Sequence, residues 1–438
     1  MDSQDTLAGR HSARFVSRLT RDTLALILAG GKGSRLGPLT NWRAKPAVPF
    51  GGKFRIIDFA LSNCLHSSIR RISVLTQYKS HSLIRHLVEG WNGLNNEYGE
   101  FLDLIPAQQW LEDEHWYLGT ADAVYQSLDI VEMHGPRFVL VLAGDHIYKM
   151  DYGEMLATHV EMGADLTVAC HVVPVDEARE FGVMQVDPEY KVRGFQEKPA
   201  LPDPLPDDPD NALVSMGIYV FSLEYLAREL RRDAKMDDSS HDFGRDIIPH
   251  AVKRGHKVLA YPLPKDGPGT DYWRDVGTID AYYAANQELL LAGPPLDLYE
   301  PEWPVYTYQC QLPPAKFVDH GPEGGCRMVD SMASAGCEVA DSTLIKSLLF
   351  SGVKVERHCH LDGVLALPES SVGESCRLSN VLIDNGCHLP AGTVIGENPE
   401  EDAERYHRTE GGVVVVNRDM LGEDRYYKPA ALYGGPAA

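Results

Sequence analysis

Near the carboxyl end, apolar residues recur at a spacing that few folds accept: Val355, Leu361 and Leu367 lie six apart, as do Val372 and Leu378, and Ile383, Leu389 and Ile395. Gly, Ser, Asn and Asp fill the gaps between them. If each apolar residue points into a narrow prism and each polar run turns a corner, the chain forms a parallel β-helix of hexapeptide rungs. The step shortens to five between Leu367 and Val372 and between Leu378 and Ile383. That slip leaves a small β-sandwich open as the alternative.

Upstream the pattern is different. Leu24 to Ala29, Ser73 to Gln77, Phe138 to Ala143, Leu166 to Val173 and Met216 to Phe221 are short and rich in branched aliphatics, as buried strands are. Helical spacing appears between them at Ile57, Ala60, Leu61, Cys64 and Leu65, at Leu83, Leu87, Val88 and Trp91, and at Leu223, Leu226, Ala227 and Leu230, where Ser222 can cap. Such alternation predicts an α/β layered domain with a largely parallel sheet. A chain of 438 residues exceeds one core. The expected division is a flexible 1–22, a catalytic domain over 23–293, a Pro-rich linker or wrapped connection over 294–314, and the β-helix over 315–438.

Charge excludes some partners. With 41 Lys plus Arg against 63 Asp plus Glu, the formal net charge is -22, which repels nucleic acid and anionic membranes. No apolar run approaches the roughly 20 residues of a membrane span, and the opening residues carry no secretory apolar stretch. A cytoplasmic protein is expected. The eight cysteines show no C-x-x-C pair, so reduced thiols are expected rather than metal ligands.

Against this acidic background, Thr23 to Ile57 contains no Asp or Glu but holds Lys32, Arg35, Arg43, Lys45, Lys53 and Arg55. Average composition would put roughly five acids in such a window. The segment begins as a strand and runs into Gly30, Gly31, Lys32, Gly33, Ser34 and Arg35. Glycines let the main chain turn sharply and bring N–H groups to an anion, and the cations supply charge, so a triphosphate is the expected guest. Neither the P-loop spacing nor the dinucleotide-binding G-x-G-x-x-G is present. Asp145 follows the strand Phe138 to Ala143, at the end where open α/β sheets bind ligands. It and Asp275 could hold Mg²⁺ against phosphate oxygens, because Mg²⁺ takes one or two carboxylates plus phosphates and water. Each Asp alone could equally cap a turn, and His146 reads as structural.

These residues, together with Arg43-Ala-Lys-Pro-Ala-Val-Pro-Phe50, Gly51-Gly-Lys-Phe-Arg-Ile-Ile-Asp58, Trp116-Tyr-Leu-Gly-Thr-Ala-Asp122, Ala143-Gly-Asp-His-Ile-Tyr148, Phe181-Gly-Val-Met184, Glu197-Lys-Pro199, Ser215-Met-Gly-Ile-Tyr219 and His241-Asp-Phe243, resemble the ADP-glucose pyrophosphorylases, the bacterial glucose-1-phosphate adenylyltransferases. The resemblance spans nearly everything after residue 22. It implies a Rossmann-like nucleotidyltransferase domain followed by a left-handed β-helix, a homotetramer, and allosteric control by small metabolites. It further implies that ATP phosphates sit on Gly30, Gly31, Gly33, Ser34 and Arg35, with Lys45 and Gln109 near the nucleotide. Glucose 1-phosphate would fall to Tyr117, Gly182, Glu197, Lys198 and Ser215. Asp145 and Asp275 match magnesium positions, Asp145, Lys45 and Arg35 would serve catalysis, and Gln77 and Trp116 would relay an effector signal.

Three other readings stay open on the residues alone. They are a uridylyl- or thymidylyltransferase of the same group, a hexapeptide acyltransferase using His358, His360 or His388, and a catalytically dead regulatory subunit. One departure stands out: Trp42 and Pro49 occupy positions where some bacterial relatives carry basic or His side chains against a bisphosphate effector. Arg43 and Arg55 remain, and Arg377 could complete a smaller cationic site for a monophosphate or carboxylate.

Overall fold

The computed structural model describes residues 13–31, 33–107, 116–264, 271–319 and 325–423. These residues gather into two compact units. The first draws on 13–31, 57–273 and 300–306, and the second on 33–56, 274–299 and 307–423. The acid-free segment from residue 33 onward thus packs with the carboxyl-terminal repeats.

The first unit is built on a nine-stranded sheet. In chain order its strands are β1 (Thr23–Ala29), β2 (Arg71–Thr76), β3 (Phe101–Pro106), β4 (Phe138–Ala143), β5 (Leu166–Pro174), β6 (Gly182–Val186), β7 (Val192–Glu197), β8 (Asn211–Ser222) and β9 (Val258–Pro262). β3, β2, β1 and β4 lie side by side in parallel, and β9 pairs β5 in parallel. Within this sheet only β7 and β8 run against the rest. Leu24, Leu26, Val139 and Val141 are fully buried, which is why these strands read as continuous apolar runs rather than as alternating ones.

The predicted helices form at Ile56–His66, His81–Gly90 and Leu223–Asp233. Ser222 caps the last of these, its Oγ accepting from Tyr225 N–H at 3.4 Å. Val88 departs from expectation: it is 60% exposed, whereas Leu83 and Leu87 are buried. The Pro-rich stretch wraps. Trp303 Nε1 donates to Asn63 Oδ1 at 3.0 Å, Tyr306 N–H donates to Ser62 Oγ at 2.8 Å, and His66 stacks on both aromatic rings. Residues 300–306 therefore lie along the helix Ile56–His66.

The second unit contains three sheets of very short, almost wholly parallel strands, with one antiparallel pair, His407–Arg408 on Val414–Val416, at the edge of the third. Glu338 pairs Lys354, Lys354 pairs Ser371 and Ser371 pairs His388 on one side, while Thr343, His360, Arg377 and Val394 pair in turn on the next. Lys354, Ser371 and His388 are spaced by 17 residues, as are His360, Arg377 and Val394. Three sides of six, six and five residues give that period, so the five-residue slip is a short side of the prism and the β-sandwich is overturned. Val355, Val372, Leu361, Leu378 and Ile395 fill the interior, each at most 3% exposed. All eight cysteines are free thiols.

Candidate active site

In the first unit the glycine turn opens where β1 ends. A Cβ on Gly30 would lie 3.0 Å from Gln77 Cβ and 3.3 Å from its Oε1. Because Ala29 pairs Thr76 across β1 and β2, Gln77 is delivered onto the turn. The expected signal relay at Gln77 therefore abuts a residue expected to bind phosphate.

β4 places Asp145 by a similar close approach. Gly144 N–H donates to Leu28 C=O at 3.1 Å, and a side chain at 144 would meet Ile27 Cγ2 at 2.9 Å. Asp145 emerges just past the strand's carboxyl end, its side chain 35% exposed. His146 Nε2 lies 3.6 Å from Asp145 Oδ1, while its Nδ1 is 3.2 Å from Met216 C=O and its ring stands edge-on to Trp273.

The hairpin of β6 and β7 pairs Gly182 with Glu197. A Cβ at Gly182 would come within 2.9 Å of Glu197 Oε2, and one at Gly244 within 2.6 Å, so two glycines make room for this carboxylate. Burial, and then the charge of Asp242, hold the Glu197 carboxyl above the usual range, with Lys198 and Arg245 offsetting part of the effect. Lys198 follows with a positive φ of 49°, and its N–H donates to Phe181 C=O at 3.0 Å.

Ser215 sits where the register of β8 shifts, its Oγ accepting from Gly217 N–H at 3.2 Å. The buried Tyr219 hydroxyl bonds Ser215 and feels Asp242 and Glu197; burial pushes that phenol well up. The unit thus gathers Gly182, Glu197, Lys198 and Ser215 around two residues to which the sequence reading gave no role, Tyr219 and Asp242. Asp242 also accepts from Thr120 Oγ1 at 2.9 Å and caps the turn Phe243–Ile247 through Gly244 and Arg245 N–H. Its signal lay in the His241-Asp-Phe243 stretch. Tyr117 is half-buried against the sheet's core, with burial raising its phenol, and Trp116 is exposed. Gln109 lies outside the described residues.

In the second unit a cation cluster surrounds one carboxylate. Lys45 Nζ is 2.8 Å from Asp275 Oδ1, and Arg35 Nη2 is 3.8 Å from Asp275 Oδ2. Lys45 is buried within a single 3-10 turn, Lys45–Ala47. Gly33, at φ 59°, admits it: a Cβ there would lie 3.0 Å from Lys45 Cβ. Gly277 admits the carboxylate and its partner, since a Cβ would meet Arg35 Nη2 at 3.0 Å and both Asp275 oxygens within 3.2 Å. Ser34 opens the 3-10 helix Ser34–Thr40.

The three arginines expected at an effector pocket have separate partners. Arg43 lies against Asp384 and Asn385, Arg55 Nη1 donates to Ala47 C=O at 3.4 Å, and Arg377 pairs with Glu397 at 2.8 Å on the surface. Among the described residues no three His, Cys, Asp or Glu side chains cluster to hold a metal by themselves. A bound cation would complete its shell from substrate and water. No helix among these residues is long and apolar enough to cross a membrane.

A glycine turn at the end of a strand in a largely parallel α/β sheet, with a hexapeptide β-helix further along the chain, defines a class. A family model described as nucleotidyl transferase matches residues 24–291, more than half of the chain, and one described as GlmU-like, C-terminal hexapeptide matches 313–416. Relatives narrow it. The glucose-1-phosphate adenylyltransferase 2 of Alkalilimnicola ehrlichii is 58% identical, with 94% of this chain and 97% of the relative covered. The glucose-1-phosphate adenylyltransferase of Nitrosococcus oceani is 55% identical over 95% of this chain and 99% of its own, and that of Yersinia pseudotuberculosis 52% over 94% and 97%. This chain belongs to the glucose-1-phosphate adenylyltransferase family.

Proposed function

We propose that the protein transfers the adenylyl group of ATP to α-D-glucose 1-phosphate, giving ADP-glucose and diphosphate, the activated-glucose step of glycogen synthesis. A phosphate oxygen of glucose 1-phosphate attacks the α-phosphorus of ATP. The bond from that phosphorus to the bridging oxygen of the β-phosphate breaks, and diphosphate leaves with the electron pair. No covalent enzyme intermediate is needed. Both reactants are anions, so the protein has to neutralise and align them.

The observation that carries the reading is the convergence of Lys45 and Arg35, both from the acid-free segment, on the distant Asp275 at 2.8 and 3.8 Å. Lys45 and Arg35 are read as phosphate cations, and Gly30, Gly31, Gly33 and Ser34 as main-chain donors to phosphate. Glu197 accepts glucose hydroxyls, Lys198 meets the sugar phosphate, and Tyr117, Gly182 and Ser215 shape that subsite. Asp145 and Asp275 are hard oxygen donors of the kind Mg²⁺ takes alongside phosphates. The metal would supply charge neutralisation at the phosphates. A homotetrameric cytoplasmic enzyme under metabolite control is part of the same reading, with Arg55, Arg377 and Arg43 as candidate effector contacts and Gln77 and Trp116 as relays.

Diphosphate release with ATP, UTP and dTTP, each against glucose 1-phosphate, tests the nucleotide. ATP is expected to give by far the highest kcat/KM; a pyrimidine nucleotide of equal or greater kcat/KM would overturn the adenylyl assignment.

A further inference from the structure

Two positions before Lys45 stands Arg43. The Arg43 side chain is only 11% exposed, and its guanidinium forks onto the β-helix. Nη2 lies 2.9 Å from Asp384 Oδ1, and Nη1 donates to Asn385 Oδ1 at 3.0 Å. Asp384 stands at the end of the strand Val381–Ile383, its side chain 4% exposed. Its own backbone is fixed by the stacked rungs: its N–H donates to Val416 C=O at 2.8 Å, and its C=O accepts from Cys387 N–H.

Other anchors hold the residues that follow. The Tyr282 hydroxyl donates to Pro49 C=O, Gly51 N–H donates to Asn286 Oδ1 at 3.0 Å, and Ser351 N–H donates to Gly52 C=O at 3.1 Å. Between them and Arg43, the 3-10 turn of Lys45 is closed by Val48 N–H on Lys45 C=O at 3.0 Å. Within one compact unit, a continuous path therefore runs from Asp384 through Arg43 and Ala44 to Lys45 and on to Asp275.

A buried ion pair is a poor device for stability alone, because desolvating both charges cancels much of their attraction. What a guanidinium held on two sides supplies is direction: its ion pair with Asp384 Oδ1 and its hydrogen bond to Asn385 Oδ1 together fix its plane. We propose that Asp384 is a positioning residue for adenylyl transfer, holding Arg43 and through it the ammonium of Lys45. The proposal rests on the activity assigned above.

The test compares Asp384→Asn with the unmodified enzyme, alone and in a Lys45→Gln background. In folded Asp384→Asn, kcat for ADP-glucose formation is expected to fall by roughly 10- to 100-fold, as misplacement by about an ångström does. KM for glucose 1-phosphate should stay within about twofold. In the Lys45→Gln background the same change should cost nothing further, because the group it positions is gone. Asn385→Ala should act in the same sense, more weakly.

An unchanged kcat in folded Asp384→Asn, or its full loss repeated in the Lys45→Gln background, overturns the proposal. Should Asp384→Asn not fold, Arg43→Lys, which keeps the charge and loses the fork, carries the same comparison with the same outcomes. Acetylation of Lys45 by acetic anhydride, followed by mass spectrometry, is independent of turnover. Its rate should rise several-fold in the variant, and a wild-type rate counts against the proposal. Failure of the unmodified chain to form ADP-glucose would strike the activity instead, and the acetylation rate would still decide the role of Asp384.

Discussion

Lys45 and Asp275 are 230 residues apart in the chain, yet Nζ and Oδ1 meet at 2.8 Å, with Arg35 on the other carboxylate oxygen. The carboxylate is thus neutralised from both sides. Asp145 stands in a different environment, a third exposed at the end of its strand. Two residues with the same proposed duty therefore differ in exposure, 35% for the Asp145 side chain against 16% for that of Asp275.

Asp145→Asn is expected to lower kcat by about 10²- to 10³-fold with the thermal midpoint and ATP binding nearly unchanged, since it removes a charge needed mainly in the transition state. Asp275→Asn should lower kcat and the midpoint together, because it leaves the buried Lys45 without its carboxylate. Steady-state kinetics beside thermal melts separate the two. Near-normal turnover in Asp145→Asn would remove its metal role.

Lys198→Ala should raise KM for glucose 1-phosphate by tenfold or more while KM for ATP moves by less than about twofold, as expected when one charge-assisted phosphate contact is lost. Equal effects on both substrates would withdraw Lys198 from the sugar-phosphate subsite.

Glu197 gives a signed dependence on pH. Burial raises its carboxyl in the fold, so the folded state holds the proton more tightly than the unfolded chain does. Stability must then fall as pH rises from the ordinary glutamate value through the raised one, and the cost is fully present above it. Glu197→Gln is expected to melt higher than the parent at neutral pH, with the gap closing as pH drops below the ordinary value. Melts across that range check it, and a gap that widens on acidification would contradict the burial argument.

Gly119 is irreplaceable for a reason of contact. A Cβ there would lie 2.3 Å from His241 C=O, the group that accepts from Ala121 and Asp122 N–H. Backbone cannot yield as a side-chain tip can. Gly119→Ala should destabilise by about 1–3 kcal/mol, read as a fall in midpoint, and should also raise KM for glucose 1-phosphate, since Asp242 is the neighbour of the displaced carbonyl. An unperturbed melt would show that the joint is more pliant than it looks.

The proposed metabolite control is constrained by the departures at Trp42 and Pro49. With fewer cations for a second phosphate, activation by fructose 6-phosphate or pyruvate is expected to exceed that by fructose 1,6-bisphosphate. Activation curves for the three decide it: a bisphosphate that proves both the tightest and the strongest activator would refute the prediction.

The sequence by itself determined the period-based features. Buried parallel strands such as Thr23–Ala29 and Phe138–Ala143 announce themselves as apolar runs, and the rungs announce themselves as Val355, Leu361 and their successors at six, because each face repeats its own demand locally. The glycine turn and the acid-free segment were legible for the same reason: their chemistry is contiguous. Tertiary structure alone decided what depends on distant partners. Nothing near Arg43 in sequence foretells Asp384, 341 residues on, and only the fold shows its guanidinium held between Asp384 and Asn385 at a β-helix corner. Nor does the chain around Tyr219 reveal that its buried hydroxyl bonds Ser215 and lies in the field of Asp242 and Glu197. A strand or a rung is selected by its neighbours in sequence, whereas a buried charge is satisfied by whichever element the fold brings within about 3 Å, and only the folded chain fixes which that is.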